Sequence, residues 1–73
     1  MIFERVQKII CDQFEADLSS VTEATTLDDI NADSLDLYDL AMSLEEEFEV
    51  EFPEDAIKRF HTVGDIVNFI EEN

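Results

Sequence analysis

Ser34 is the residue of this chain best placed for covalent chemistry. It stands between Asp33 and Leu35-Asp36, at the end of a polar stretch and the start of a helical pattern. Backbone N–H groups and partial positive charge at a helix N-terminus favour an anion, so a phosphate ester on this hydroxyl would be stabilised there. No general base pairs with Ser34 in the sequence, so nothing activates it as a nucleophile. The pattern suits a hydroxyl that is modified by another protein rather than one that attacks a substrate.

The other chemical candidates are weaker. His61 precedes the last helical pattern without a nucleophile to serve, which suits a surface or capping role. Cys11 lies beside an apolar stripe and reads as a packed thiol. Lys8 is the only basic neighbour within a turn that could lower its pKa. One cysteine makes no intramolecular disulfide, and one His with one Cys assembles no zinc site. Asp29-Ile30-Asn31-Ala32-Asp33 opens like a calcium loop, but Ser34 replaces the required Gly and Leu40 the required Glu. No metal site is expected, although loose divalent binding by clustered carboxylates stays open. Paired carboxylates are too frequent to identify an acid–base couple.

Composition narrows the partners. The 73 residues include 20 Asp or Glu and 4 Lys or Arg, a formal charge of -16. Nucleic acid and anionic membrane surfaces both require basic protein surface, so neither is an expected partner. High charge favours disorder, but 45% hydrophobic residues, with six Phe, are enough for a core. From Asp28 to Asp55 there are twelve carboxylates and no Lys or Arg. Such density repels itself, lowers stability and makes the fold sensitive to salt, and its natural complement is a basic partner surface. The first residues, Met1 to Arg5, do not read as a secretory leader, and no apolar run reaches the length of a membrane span. The expected setting is the cytoplasm, without membrane insertion.

Helices must position these groups. Phe3, Val6, Ile9, Ile10 and Phe14 share one face of a helix over about residues 3–15, with Glu4 and Lys8 as an i,i+4 pair. Residues 16–32 lose the period and read as a loop, pinned to the core by Val21, Leu27 and Ile30. The second helix starts near Asp33, its N-cap, with Asp36 reinforcing the first turn. Leu37, Leu40, Ala41, Leu44 and Phe48 form its core face; Leu35, Asp39, Met42, Glu46 and Glu49 form the opposite one. That arrangement leaves Leu35 and Met42 exposed among carboxylates. Val50-Glu51-Phe52 is an extended connector, and Pro53 suits the start of a short helix over about residues 54–59. Thr62 is the expected N-cap of a last helix whose buried side is Val63, Ile66, Val67, Phe69 and Ile70. The predicted architecture is all-α, a small bundle of three main helices plus one short one, forming a single domain over 1–73.

Asn31-Ala32-Asp33-Ser34-Leu35-Asp36, followed by Leu40-Ala41-Met42-Ser43-Leu44-Glu45-Glu46-Glu47-Phe48, resembles the acyl carrier proteins of dissociated, bacterial-type (type II) fatty acid synthesis. The likeness extends to Glu4-Arg5-Val6, Ile9-Ile10, Phe52-Pro53 and Thr62-Val63-Gly64-Asp65, nearly the whole chain. The resemblance implies a carrier, not an enzyme, acting as a monomer. Ser34 would hold 4'-phosphopantetheine through a phosphodiester, installed from coenzyme A by a pantetheinyl transferase that meets Asp33, Leu35 and Asp36. Acyl groups would ride on the terminal thiol as thioesters. Leu35, Asp36, Asp39, Met42, Glu45 and Glu46 would dock on basic patches of fatty acid synthesis enzymes and acyltransferases. Leu44 and Phe60 would border a cavity that shelters the acyl chain. Two positions depart from the family. Asn31 stands where many members have Gly, and tolerates left-handed backbone better than most residues. Tyr38 replaces a smaller aliphatic residue and bears on cavity size and partner choice. Two alternatives remain at this stage: a carrier of a specialised polyketide or aminoacyl pathway, and an acidic helical interaction module that is never modified.

Overall fold

A computed structural model describes residues 2–72 as α1 (Ile2–Phe14), α2 (Ser34–Phe48), α3 (Glu54–Arg59) and α4 (Val63–Glu72), with a 3-10 turn at Leu18–Ser20. Helix α1 packs against both α2 and α4, and α3 packs against α2. Three main helices and one short one agree with the periodicity. Met1 and Asn73, included in the expected domain, lie outside the described residues.

The apolar stripes meet in one core. Val6 and Ile10 of α1, Leu40 and Leu44 of α2, and Val63 and Ile66 of α4 are essentially inaccessible to solvent. Leu37 and Phe48, at the two ends of the expected α2 core face, are only half-buried. Phe52, Phe60 and Phe69 form a second apolar focus, with ring centroids 5.1–5.8 Å apart. Edge-on and tilted pairs of this kind add to simple burial. They hold the α2–α3 connector, the end of α3 and α4 together.

Helix boundaries follow local hydrogen bonding. Asp33 Oδ1 accepts from the Asp36 backbone N–H at 2.9 Å, and Asp36 Oδ2 accepts from the Asp33 N–H at 3.3 Å. This reciprocal box fixes where α2 begins. The same four-residue logic recurs at α4, where the Asp65 N–H donates to Thr62 Oγ1 and the Asp65 carboxylate accepts from the backbone N–H groups of His61 and Thr62. Those backbone donors hold the Asp65 carboxyl below its ordinary pKa. A carboxyl lowered on folding contributes stability above its unfolded pKa, and that contribution is lost as pH falls through the folded value.

Among the described residues, three non-glycine residues adopt left-handed backbone: Glu15, Asn31 and Glu49, with φ of 55–58°. After Glu15, the Ala16 N–H bonds back to the Cys11 carbonyl at 3.2 Å, closing α1 with a Schellman turn one residue earlier than the sequence pattern suggested. Asn31 does the same for the turn that precedes α2, with the Ala32 N–H on the Leu27 carbonyl at 3.0 Å. Asn31 therefore performs the turn for which its type was suited. Glu49, expected on the exposed face of the second helix, instead occupies its left-handed C-terminal position. Glutamate is poor there on two counts: its Cβ crowds the backbone, and its charge meets the negative end of the helix dipole. Glu49→Asn is expected to stabilise the fold by about 0.5–1 kcal/mol. A urea titration checks this, and an unchanged or lower midpoint would contradict the account.

The loop from 16 to 32 is more structured than its composition suggested. Val21 and Leu27 are buried and Ile30 half-buried, as pinning residues should be. Beyond that, the loop is stitched to the entrance of α4. The Leu27 N–H donates to the His61 carbonyl, the Val63 N–H to the Thr25 carbonyl and the Gly64 N–H to the Glu23 carbonyl, all at 2.9–3.0 Å. Thr26 and Thr62 form an isolated antiparallel bridge. The bonds from Val63 and Gly64 satisfy free N–H groups of the first turn of α4, which the helix itself cannot satisfy.

Candidate functional site

The turn closed by Asn31 delivers the chain to Asp33, and the Asp33–Asp36 box sets Ser34 as the first residue of α2. Ser34 is exposed, and among the described residues its hydroxyl forms no hydrogen bond within the protein. Its neighbours are already engaged: the carboxylates of Asp33 and Asp36 each accept a backbone N–H of the other. Neither is aimed at the Ser34 proton as a base. The geometry is that of an accessible, unactivated hydroxyl on a rigid helix end, which fits a group installed by a separate enzyme.

Electrostatics around Ser34 work in two directions. The N-terminus of α2 attracts an anion, while Asp33, Asp36 and the carboxylates farther along α2 repel it. Among the described residues, cations do not gather there to clamp one. Arg5 bonds Glu47 at 2.6 Å and sits 4.4 Å from the Phe48 ring centroid, at the far end of α2. By helical rise that is about 20 Å from Ser34. Lys58 of α3 lines a groove shared with Ser34, and it is exposed and only 4.0 Å from Glu54. A phosphodiester on Ser34 would be tolerated but not gripped, which leaves an attached arm free to swing.

Two shallow grooves open beside Ser34. One is lined by Leu27, Asp28, Ala32, Asp33, Leu37, Phe60 and His61, and the other by Leu37, Tyr38, Ile57 and Lys58. Of the two residues the resemblance placed at an acyl cavity, Phe60 borders the first groove. Leu44 is 1% exposed within the core. Tyr38 is half-buried, and its hydroxyl donates to Glu54 Oε2 at 3.4 Å.

The expected docking residues cluster along α2. Leu35 and Met42 are 76% and 64% exposed, far more than any core residue. Asp39 and Glu46 are exposed beside Met42, and Asp39, Met42, Ser43, Glu45 and Glu46 line one open surface with Gln13 of α1. Two of the acidic residues also serve the fold. Asp36 belongs to the helix cap, and Glu45 Oε2 accepts the Phe52 N–H at 2.8 Å, holding the α2–α3 connector. Sequence spacing gave no sign of that internal task at Glu45, because Phe52 lies beyond the helix.

The calcium-like segment is committed elsewhere. Asp29 and Thr26 exchange a backbone N–H each with the other's side chain at 3.1 Å, and Asp33 caps α2. Among the described residues, no group of three or more His, Cys, Asp or Glu is placed to hold a metal ion. Cys11 is buried, and burial, with Asp12 and Asp17 nearby, pushes its thiol pKa up. His61 lies at the edge of the first groove, with its backbone N–H on Asp65 and its carbonyl accepting from Leu27.

The site thus combines an exposed serine at the first position of an acidic helix, flanking carboxylates engaged in the helix cap, and a groove with Leu37 and Ile57 in its lining alongside. The phosphopantetheine attachment site family matches residues 4–70 of the chain. The chain belongs to the acyl carrier protein family, as its curated relatives make plain. It is 50% identical over 72 residues to the acyl carrier protein of Phenylobacterium zucineum, covering 97% of this chain and 91% of that one. To that of Caulobacter vibrioides it is 51% identical over 72 residues, covering 97% and 92%. To that of Clostridium acetobutylicum it is 45% identical over 71 residues, covering 96% and 92%. The fold is similar to a crystal structure of an acyl carrier protein from Thermotoga maritima, with a TM-score of 0.82 and 26% identity over 94% of this chain and 81% of that one. The chain is thus a phosphopantetheine-bearing carrier rather than an enzyme. The family match also removes the unmodified interaction module as a reading. Among the described residues no helix is long and apolar enough to cross a membrane.

Proposed function

We propose that Ser34 is the attachment point and that the chain works as a single carrier domain, presenting acyl intermediates of fatty acid biosynthesis on 4'-phosphopantetheine. The observation that supports this most is the exposed, unpartnered Ser34 hydroxyl at the start of α2. In loading, Ser34 Oγ gives up its proton and forms a P–O bond to the pantetheine-side phosphorus of coenzyme A. The pyrophosphate bond breaks and 3',5'-ADP leaves. The base and the electrophilic activation come from the transferase, since the chain supplies neither. When bound, the group supplies a thiol that carries the acyl chain as a thioester. The protein's own contribution is a rigid helix end that fixes the tether, carboxylates engaged in the helix cap, and a surface for partners. Incubation with coenzyme A and a pantetheinyl transferase is expected to add one phosphopantetheine group to the intact mass. Peptide mapping should place it on Ser34, and a modification mapped to any other residue would overturn the assignment.

The partners of this reading are the transferase, fatty acid synthesis enzymes and acyltransferases, met by a monomer in the cytoplasm. Leu35 and Met42 supply apolar contact, and Asp36, Asp39, Glu45 and Glu46 supply charge to complement a basic patch. Such a surface raises encounter rates while a small interface still releases quickly. The association rate with a basic partner enzyme is expected to fall by roughly 10- to 100-fold between low and high salt. A rate that stays flat across the series, read by stopped flow, would remove steering from the mechanism.

A further inference from the structure

Tyr38 follows Ser34 by one helical turn, so its side chain emerges on the same side of α2 as the attachment point. Its ring is half-buried and packs against the core. Its hydroxyl crosses to α3, donating to Glu54 Oε2 at 3.4 Å. Ser34, Leu37, Tyr38, Ile57 and Lys58 line one groove of about 380 Å³ between α2 and α3. The apolar side chains Leu37 and Ile57 form its lining next to Tyr38, and Ile57 is itself only 6% exposed. An aliphatic chain suits such a lining, because each methylene removed from water there is favourable. A chain tethered at Ser34 reaches the groove intramolecularly, at high effective concentration. The Tyr38 ring is part of the lining of that groove, and its hydroxyl spans from α2 to Glu54 of α3, so the ring takes up space between the two helices. A 3.4 Å hydrogen bond to the exposed Glu54 is weak, so the packed ring rather than its hydroxyl forms the obstacle.

Resting on the reading that Ser34 carries the acylated arm, we propose that the Tyr38 ring sets the length of acyl chain that the α2–α3 groove shelters. Tyr38 is a specificity-determining residue in this sense and takes no part in loading. The test uses the full chain and its Y38F and Y38V variants. A pantetheinyl transferase loads each from butanoyl-, octanoyl- and dodecanoyl-coenzyme A, and intact mass verifies the product. The readout is the thermal midpoint of each acyl form relative to the same variant carrying the unacylated arm, which removes any effect of the substitution on folding itself. In the wild type and Y38F, the gain on acylation is expected to level off by octanoyl. In Y38V it is expected to keep rising beyond octanoyl, by on the order of 3–6 °C for each further methylene sheltered. The same chain-length profile in wild type and Y38V, or Y38F tracking Y38V, would overturn the role of the ring. A wild-type mass that never changes would instead strike the Ser34 reading, and the proposal with it.

Discussion

Ser34→Ala is expected to abolish phosphopantetheine loading outright while leaving the fold almost untouched. The two effects separate because of where the residue sits. Ser34 is the first residue of α2, exposed, and the cap is made by Asp33 and Asp36 rather than by Ser34. Removing its hydroxyl breaks no hydrogen bond found among the described residues. A surface change of that kind stays within about 0.5 kcal/mol. Loading, by contrast, loses the only atom that can form the phosphodiester at this position. Intact mass after exposure to coenzyme A and transferase reads the first effect, and a thermal melt of the unloaded variant reads the second. Residual loading of Ser34→Ala would mean that another hydroxyl serves. A large loss of stability would mean that Ser34 has a structural role the geometry does not show.

Gly64→Ala is expected to cost about 1–3 kcal/mol, although alanine is the better helix former. Alanine's propensity advantage over glycine reaches about 1 kcal/mol inside a helix and is smaller in a first turn. Against it stands a close approach: a Cβ at position 64 would lie 2.9 Å from the Glu23 carbonyl oxygen. That oxygen cannot withdraw cheaply, because it accepts the Gly64 N–H at 2.9 Å and belongs to the stitch between the long loop and α4. The side chain is therefore excluded by backbone rather than by a flexible neighbour, and overpacking wins. For a domain of this size the fall in thermal midpoint would be on the order of 4–8 °C per kcal/mol. That is a large share of a total stability of about 4–11 kcal/mol. Gly64→Val should cost more than Gly64→Ala. An alanine variant as stable as the wild type would show that the loop and α4 are not held as described.

The amino-acid sequence by itself determined what depends on near neighbours. Helix faces follow from spacings of three and four, and the Asp33–Asp36 and Thr62–Asp65 caps close within four residues, so both could be read off the chain. The same range fixes Ser34 at a helix start and leaves Leu35 and Met42 among carboxylates. The family resemblance added the prosthetic group, which no spacing alone specifies. Tertiary structure decided whatever joins residues far apart. The loop at 23–27 binds the entrance of α4, Arg5 reaches Glu47, and Tyr38 reaches Glu54. Glu45, given a docking role by its helix face, also holds Phe52, while Leu44 lies in the core as its helix face indicated. Periodicity reports which face of a helix is apolar but not which neighbour covers it. Charge composition reports an excess of carboxylates but not which of them the fold spends on its own backbone N–H groups. Only the packed chain separates the carboxylates that cap and clamp from those left to meet a partner.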